Sequence, residues 1–248
     1  MRFPNRLVLS AMAGINDWNF AKKYEAGFII LGGFNADRES MEAGIRAAKR
    51  GRKEFIFHDP VSGIENQLRM VESERRVVGI NVRAATSEGY VNASRLASEY
   101  GAILEINAHC RQPEFLEIGC GQALLFNHKK LVQIVELTSK HADVAVKIRG
   151  GLGLDYGMIA EELFSSGAFL IHVDAMIPGG GADLELVRRI SEIGNVIGNN
   201  SVRDVRSARK MIEAGAKLVS IARKALSDKD IFKKLLVDEV LASGIEVV

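Results

Sequence analysis

Eight short apolar runs recur along the chain, and each is followed by a stretch with helical periodicity. The runs are rich in Val, Ile and Leu without polar alternation, which is typical of strands buried on both faces of a parallel sheet. Eight strand–helix units in 248 residues predict a single-domain (β/α)8 TIM barrel over residues 1–248. A doubly wound sheet would place G-x-G-x-x-G after its first strand, where this chain reads SAMAGIND. The predicted strands are residues 6–12, 27–33, 76–83, 102–107, 143–149, 168–174, 195–200 and 217–223.

The connection after the second strand, at about residues 34–75, is much longer than the others. It contains two helical stretches around EFIFHDPVSG, and that segment has room for an extra strand. We expect an elaborated βα connection here rather than a second domain.

Charge and cysteine content narrow the class of protein. There are 33 Lys and Arg against 31 Asp and Glu, and this near balance does not indicate a general nucleic-acid-binding protein. Cys110 and Cys120 form no C-x-x-C pair, so we expect neither a disulfide scaffold nor a zinc or iron–sulfur site. No apolar run reaches the roughly 18 residues that span a bilayer. We therefore expect a cytoplasmic protein with no membrane partner.

Polar residues cluster at the predicted carboxyl ends of the strands, where barrels of this kind carry their active sites. Lys147 interrupts a buried strand, and a buried ammonium is costly unless an acceptor meets it, which favours function over a structural ion pair. His172 fits a core histidine and a ligand contact equally well. Cys110 follows Asn107 in a loop, which favours chemistry, although free cysteines often only pack, as we expect for Cys120.

The last two strands carry a phosphate-binding signal. VIGNNSVRD places Gly and Asn at a strand end and Ser201 where the next helix is expected to begin. SIARKAL opens a short helix after Ala222. Because amides at helix amino ends bind phosphate, and these barrels commonly bind it after strands seven and eight, a phosphate-bearing ligand is predicted here.

Taken together, these motifs resemble the FMN-dependent barrels of the tRNA-dihydrouridine synthase family, to which the dihydroorotate dehydrogenases are related. SAMAGIND is similar to the family's PMAGVTD, and INAHCRQPEFLEIGCGQALL is similar to N-x-G-C-P … G-x-G-x-ALL. VAVKIRGG, LIHVD, VIGNNSVRD and SIARKAL are similar to VKIR-G, IHGR, GNGDI and IGRAAL. The resemblance extends from residue 7 to about residue 235. It implies an FMN-dependent oxidoreductase that acts on a C=C or CH–CH bond of a pyrimidine-like ring.

The resemblance also implies roles for individual residues. Cys110 would be the general acid that protonates the pyrimidine carbon, Asn107 would orient the base, and Arg149 would face the substrate. Lys147 would bind the isoalloxazine near N1 and the C2 carbonyl, and would stabilise the reduced flavin. NADPH or NADH would be the electron donor. The residues implied at FMN are Ala11, Met12, Asn81, Lys147, His172, Gly198, Asn199, Asn200, Ala222 and Arg223.

Departures from the family pattern bear on the substrate. His109 replaces a Gly, Arg111 replaces a Pro, and Val173–Asp174 replace Gly–Arg, so that a carboxylate stands where a cation would grip phosphate. The chain ends at Val248, and we expect the family's C-terminal helical domain, which supplies much of the tRNA-binding surface, to be absent. A pyrimidine-containing substrate is therefore expected more firmly than tRNA itself.

Two alternatives remain open at this point. A small-molecule flavin oxidoreductase of the dihydroorotate type needs no RNA surface, whereas a basic stripe leading to the barrel mouth would favour RNA. The candidate stripes are AAKRGRK at residues 47–53 and RRVV, although a solvated helix end accounts for both as well. The second alternative is a non-redox barrel that binds a phosphate sugar. The sequence does not determine the oligomeric state.

Overall fold

The computed structural model of the chain describes residues 1–71, 74 and 76–248. Eight parallel strands, β2 to β9, close into a barrel in sequence order, which confirms the predicted (β/α)8 fold and all eight predicted strands. A further pair, β1 and β10, forms a small antiparallel ribbon. The strands are β1 (Arg2–Phe3), β2 (Leu7–Leu9), β3 (Phe28–Asn35), β4 (Val77–Arg83), β5 (Ile103–Ala108), β6 (Val144–Arg149), β7 (Ala168–Asp174), β8 (Val196–Asn199), β9 (Leu218–Ile221) and β10 (Ile245–Glu246).

The helices cover the outer face of the barrel and most begin at an Asp, Asn or Thr. Such a side chain accepts a hydrogen bond from an amide of the first turn that has no partner within the helix. Examples are Asp37, Thr86 and Asp183. The helices are α1 (Trp18–Ala21), α2 (Arg38–Lys49), α3 (Pro60–Arg69), α4 (Ser87–Glu99), α5 (Pro113–Leu116), α6 (Gln122–Phe126), α7 (His128–Thr138), α8 (Tyr156–Ser165), α9 (Leu184–Ser191), α10 (Val205–Glu213), α11 (Arg223–Ser227), α12 (Ile231–Leu235) and α13 (Glu239–Ala242).

The amino end of the barrel is filled by apolar side chains and closed by the β1–β10 ribbon. Phe3 of β1 is fully buried, and its ring centre lies 5.5 Å from that of Phe28 on β3. Val247, just after β10, is buried in the same cluster. This apolar plug places the polar side chains of the barrel interior at the opposite, carboxyl end. The other buried members of the cluster are Val8, Ile30, Ile103, Ala145, Leu170, Ile197 and Leu218.

The long connection between β3 and β4 contains α2 and α3. The extra strand considered for EFIFHDPVSG is not present: residues 52–57 are irregular. Phe55 and Phe57 instead pack on Phe34, with ring centres 5.0 and 5.9 Å away. A closed barrel offers no free strand edge to pair with, which explains why this β-like segment stays unpaired. Residues 72, 73 and 75 of the predicted connection lie outside the described residues.

Over residues 1–71, 74 and 76–248, no helix is long and apolar enough to cross a bilayer.

Candidate functional site

Two adjoining cavities open at the carboxyl end of the barrel. The first has a volume of about 650 Å³ and the second about 510 Å³. They form one cleft, because Ala11, His109, Lys147, Ala222 and Arg223 line both. The first cavity is also lined by Met12, Gly33, Asn81, Arg83, Asn107 and Cys110, and the second by Asp174, Asn199, Asn200, Ser201 and Arg203.

Lys147 lies between the two cavities and is only 3% exposed. Its ammonium donates a hydrogen bond to Ser10 Oγ at the end of β2. Burial lowers the pKa of Lys147, while the charges of Glu105 and Asp174 act in the opposite direction. An ammonium has three N–H donors. Lys147 can therefore donate to an acceptor group of a ligand in the cleft.

Glu105 is a buried carboxylate beneath the cleft that the sequence analysis missed. It is fully buried and binds His172 Nδ1 through Oε2, and its Oε1 accepts from Asn81 Nδ2 at 2.7 Å. Burial acts to raise the pKa of Glu105, but His172 and Lys147 together lower it, so the carboxylate is ionised. The signal that could have identified it was a charged residue inside the apolar run AILEIN.

His172 supports Glu105 and does not line the cleft. Its side chain is fully buried, and its Nε2 pairs with Ser220 Oγ at 2.7 Å, while Asn199 Nδ2 donates to the same hydroxyl. Burial, followed by the charge of Lys147, lowers the pKa of His172. Both ring nitrogens are bonded to protein, so the contact of His172 with the cofactor stays a prediction that its hydrogen bonds do not favour.

The loop after β5 is organised around Asn107. The side-chain oxygen of Asn107 accepts from the backbone N–H of Cys110 at 3.0 Å and of His109 at 3.3 Å. Its amide nitrogen donates to Asn81 Oδ1 at 2.8 Å. These bonds hold Cys110 half-buried at the wall of the first cavity, whereas Cys120 is fully buried, as expected of a packing residue.

An ion pair between Arg83 and Glu54 lies beside Cys110. Arg83 Nη2 is 2.6 Å from Glu54 Oε2, and the two side chains are 1% and 0% exposed. The guanidinium also stacks 3.8 Å from the ring centre of Phe115, and its Nη1 lies 4.0 Å from Cys110 Sγ. Glu54 comes from the irregular part of the β3–β4 connection, so sequence patterns did not identify it.

Two other predicted residues, Arg149 and Gly198, line neither cavity. Arg149 pairs with Asp174 at 3.0 Å. Asp174 also accepts from Asn200 Nδ2 at 2.9 Å, so its charge is compensated within the protein. Gly198 faces the outer helices, because a Cβ there would lie 3.0 Å from Met211 Sδ and 3.3 Å from Ala216 Cβ.

The second cavity is bordered by the loops after β8 and β9. Ser201 does not begin a helix: Asn200 and Ser201 have φ of 95° and 55°, and α10 begins only at Val205. Asp204 caps that helix by accepting from an amide of its first turn, so the predicted helix start at Ser201 is wrong, while phosphate binding by this loop stays a prediction. Ala222 precedes α11 and has no capping side chain. The cations that line this cavity are Arg203, Arg223, Lys224 and Lys147.

No family model matches the chain. A probable tRNA-dihydrouridine synthase of Rhizobium leguminosarum bv. phaseoli is 24% identical over 239 residues, covering 90% of this chain and 69% of that protein. The tRNA-dihydrouridine synthase B of Pseudomonas aeruginosa is 25% identical over 258 aligned positions, covering 97% of this chain and 71% of that protein. An uncharacterized protein of Methanocaldococcus jannaschii is 30% identical over 240 residues, which cover 91% of each chain. The chain therefore belongs to the family of this archaeal protein, with the tRNA-dihydrouridine synthases as more distant homologues.

Proposed function

We propose that the protein is an FMN-dependent oxidoreductase of dihydrouridine synthase type, which reduces or oxidises a C=C or CH–CH bond of a pyrimidine-like ring. One observation carries this proposal: a buried lysine ammonium and a half-buried thiol, Lys147 and Cys110, line the same cavity at the barrel mouth. The distant homologues named tRNA-dihydrouridine synthase support it.

The hydrogen-bond donors that line the cleft suit the acceptor groups of FMN. Lys147 is a buried donor suited to the electron-rich N1 and C2 carbonyl side of the isoalloxazine, where it would also stabilise the reduced, anionic ring. Arg203, Arg223 and Lys224 border the second cavity and suit the phosphate. Asn199 and Asn200 line the same cavity, in line with their expected roles. The bound flavin would supply hydride transfer, with NADPH or NADH as its reductant.

The protein's own part in ring reduction would be to supply a proton. The hydride would add to one ring carbon, and Cys110 Sγ–H would deliver the proton to its neighbour, which breaks the S–H bond and leaves a thiolate. Arg83 Nη1, 4.0 Å from Sγ, would stabilise that thiolate. Asn107 would hold the loop, because its side-chain oxygen accepts from the Cys110 amide at 3.0 Å.

The basic segment at residues 47–53 bears on the choice between tRNA and a small substrate. Arg50, Arg52 and Lys53 line the first cavity, so the segment reaches the mouth of the barrel. Arg50 is partly engaged by Glu114 at 2.8 Å. Cations at the mouth suit a polyanion, and tRNA is therefore our first candidate substrate. A small carboxylated pyrimidine, as in the dihydroorotate-type alternative, would use the same cations.

An absorbance spectrum of the purified protein, before and after denaturation, tests the cofactor. We expect the bands of oxidised flavin, released as FMN, or binding of added FMN that turns the protein yellow. Lys147→Ala should weaken FMN binding, whereas the exposed Lys140→Ala should not. A protein that stays colourless with added FMN would reject the proposal and favour a phosphate-sugar-binding barrel.

Turnover and binding assays test the thiol and the substrate. Cys110→Ala should retain FMN and lose ring reduction, while Cys120→Ala should keep both. A loss of FMN binding in Cys110→Ala as large as its loss of ring reduction would make Cys110 structural. Reversing Arg52 and Lys53 to Glu should weaken binding of unmodified tRNA and lower its salt dependence, with Lys140→Glu as the control. Unchanged tRNA binding would favour the small-molecule substrate.

A further inference from the structure

His109 has no role in the proposed mechanism, yet it stands at the centre of the cleft. It lines both cavities, as Lys147 does, and it replaces the small residue found before the cysteine in the resembling family. The hydrogen-bond network beneath the cleft determines what its ring presents to a ligand.

The network starts at Glu105, whose ionised carboxylate can only accept hydrogen bonds. Asn81 must therefore direct its NH2 group towards Glu105, at 2.7 Å, and its oxygen towards Asn107. Asn107 in turn donates its NH2 group to that oxygen at 2.8 Å. Each amide orientation is fixed by the one before it, so the oxygen of Asn107 faces the His109–Cys110 loop.

The orientation of Asn107 determines the tautomer of His109. Asn107 Oδ1 lies 3.1 Å from His109 Nδ1, and because this oxygen only accepts, Nδ1 carries the hydrogen. Burial lowers the pKa of His109 well below its ordinary value, so the ring is neutral near pH 7. Over the described residues, Nε2 has no protein partner and keeps a free lone pair. The cations that reinforce this pKa shift are Lys147, Arg149, Arg83 and His172 when it is protonated.

We propose that His109 Nε2 accepts a hydrogen bond from a ring N–H of the ligand bound in the cleft. Lys147 and His109 then form a donor–acceptor pair that suits a C=O/N–H edge. Flavin and uracil-type rings both carry this edge at C2 and N3, whereas a cytosine-type ring has an acceptor at N3. The inference rests on the proposed function, and it makes His109 a specificity-determining residue.

The tautomer can be measured without any ligand. In protein with 15N-labelled histidine, the ring-nitrogen shifts of His109 at about pH 7 should report hydrogen on Nδ1 and a free Nε2. His109→Gln assigns the signal by its disappearance. A ring that is charged, or that carries its hydrogen on Nε2, would overturn the inference whatever the protein binds.

Binding of N3-methylated ligands tests whether His109 accepts this hydrogen bond. It also tests whether the flavin or the substrate donates it. Calorimetry would compare FMN with N3-methyl-FMN, and dihydrouridine monophosphate with its N3-methyl form. We expect the wild type to prefer at least one unmethylated ligand by about tenfold, since a polar group left unpaired costs about that much. A preference confined to FMN identifies the flavin as the donor, and one confined to the nucleotide identifies the substrate.

Three variants complete this test. His109→Phe should abolish the preference, His109→Gln should retain it because Gln keeps an acceptor, and the exposed His141→Phe should leave it unchanged. Binding without discrimination, or discrimination that survives His109→Phe, would overturn the role of His109 alone. If neither FMN nor dihydrouridine monophosphate binds, the proposed function fails as well, and the nitrogen shifts still report whether the tautomer was inferred correctly.

Discussion

Glu54→Gln should destabilise the protein strongly, because it removes the counter-charge of a guanidinium that is almost completely buried. Arg83 and Glu54 are 1% and 0% exposed, and their closest atoms are 2.6 Å apart. Gln keeps the size of the side chain and one carbonyl oxygen, so the substitution removes the charge with little change in packing. Breaking a buried pair on one side costs about 3–5 kcal/mol. For a chain of this length, each kcal/mol of lost stability lowers Tm by about 2–4 °C. We therefore expect a fall in Tm of about 6–20 °C.

Thermal unfolding followed by far-ultraviolet circular dichroism, at a matched scan rate, measures this loss. Glu42→Gln is the matched control, since it breaks an exposed pair with Arg38 whose side chains are 93% and 54% exposed. That pair contributes about 0.5 kcal/mol or less. The double variant Glu54→Gln, Arg83→Met should recover much of the loss, because no unpaired charge stays buried. A fall in Tm no larger than that of Glu42→Gln would refute the reasoning.

Three further predictions concern reactivity, packing and pH. Iodoacetamide should label Cys110 in the native protein and leave Cys120 unlabelled in peptide mass spectra, because Cys120 is fully buried and burial raises its pKa to about 12. Phe3→Ala should lower the free energy of unfolding by about 3–5 kcal/mol in urea titrations, since it leaves a cavity among the apolar side chains at the amino end of the barrel. A loss below about 1 kcal/mol would contradict the role of Phe3 in closing that end. The folded pKa of His109 lies below its unfolded value of about 6.5, so the unfolded state binds the proton first and stability falls as pH drops below that value. His109→Gln should make the fall in Tm between about pH 7 and pH 5 shallower, and an unchanged slope would contradict this shift.

The strands could be predicted from the sequence because each is a continuous apolar run, a pattern that depends only on neighbouring residues. The cleft residues Asn81, Asn107, Lys147 and Cys110 could be predicted for the same reason, since they lie at or just beyond the ends of those runs. The barrel topology brings the carboxyl ends of the strands together. A list of strand ends is therefore already a list of neighbours in space.

The polar layer beneath the cleft could not be predicted in this way. The stagger between adjacent strands decides which of these residues are neighbours. It places Glu105 opposite Asn81, and Lys147 between Asn107 and His172. That stagger is a property of the closed barrel and is not encoded in any single run. His172 consequently looked like a ligand-contacting residue, although its partners are Glu105 and Ser220.

The helix start predicted at Ser201 failed for a different reason. GNNS suggested a phosphate loop, while the capping pair Asp204 and Ser207 a few residues later marked the true start of α10. Glu54 was missed because it lies in irregular chain, where no periodicity predicts a partner. Its contact with Arg83 depends on how the long β3–β4 connection folds back over the barrel.

Closure of the barrel has a consequence for folding during synthesis. β2 pairs with β9 through residues such as Leu7 and Val219, which lie more than 200 residues apart in the sequence. Until β9 leaves the ribosome, β2 and β8 each expose an edge of unpaired amides and carbonyls flanked by apolar side chains. Such an incomplete sheet is prone to aggregate, and loop closure over this distance is slow. We therefore expect the nascent chain to need protection by chaperones until β9 has emerged and closed the barrel.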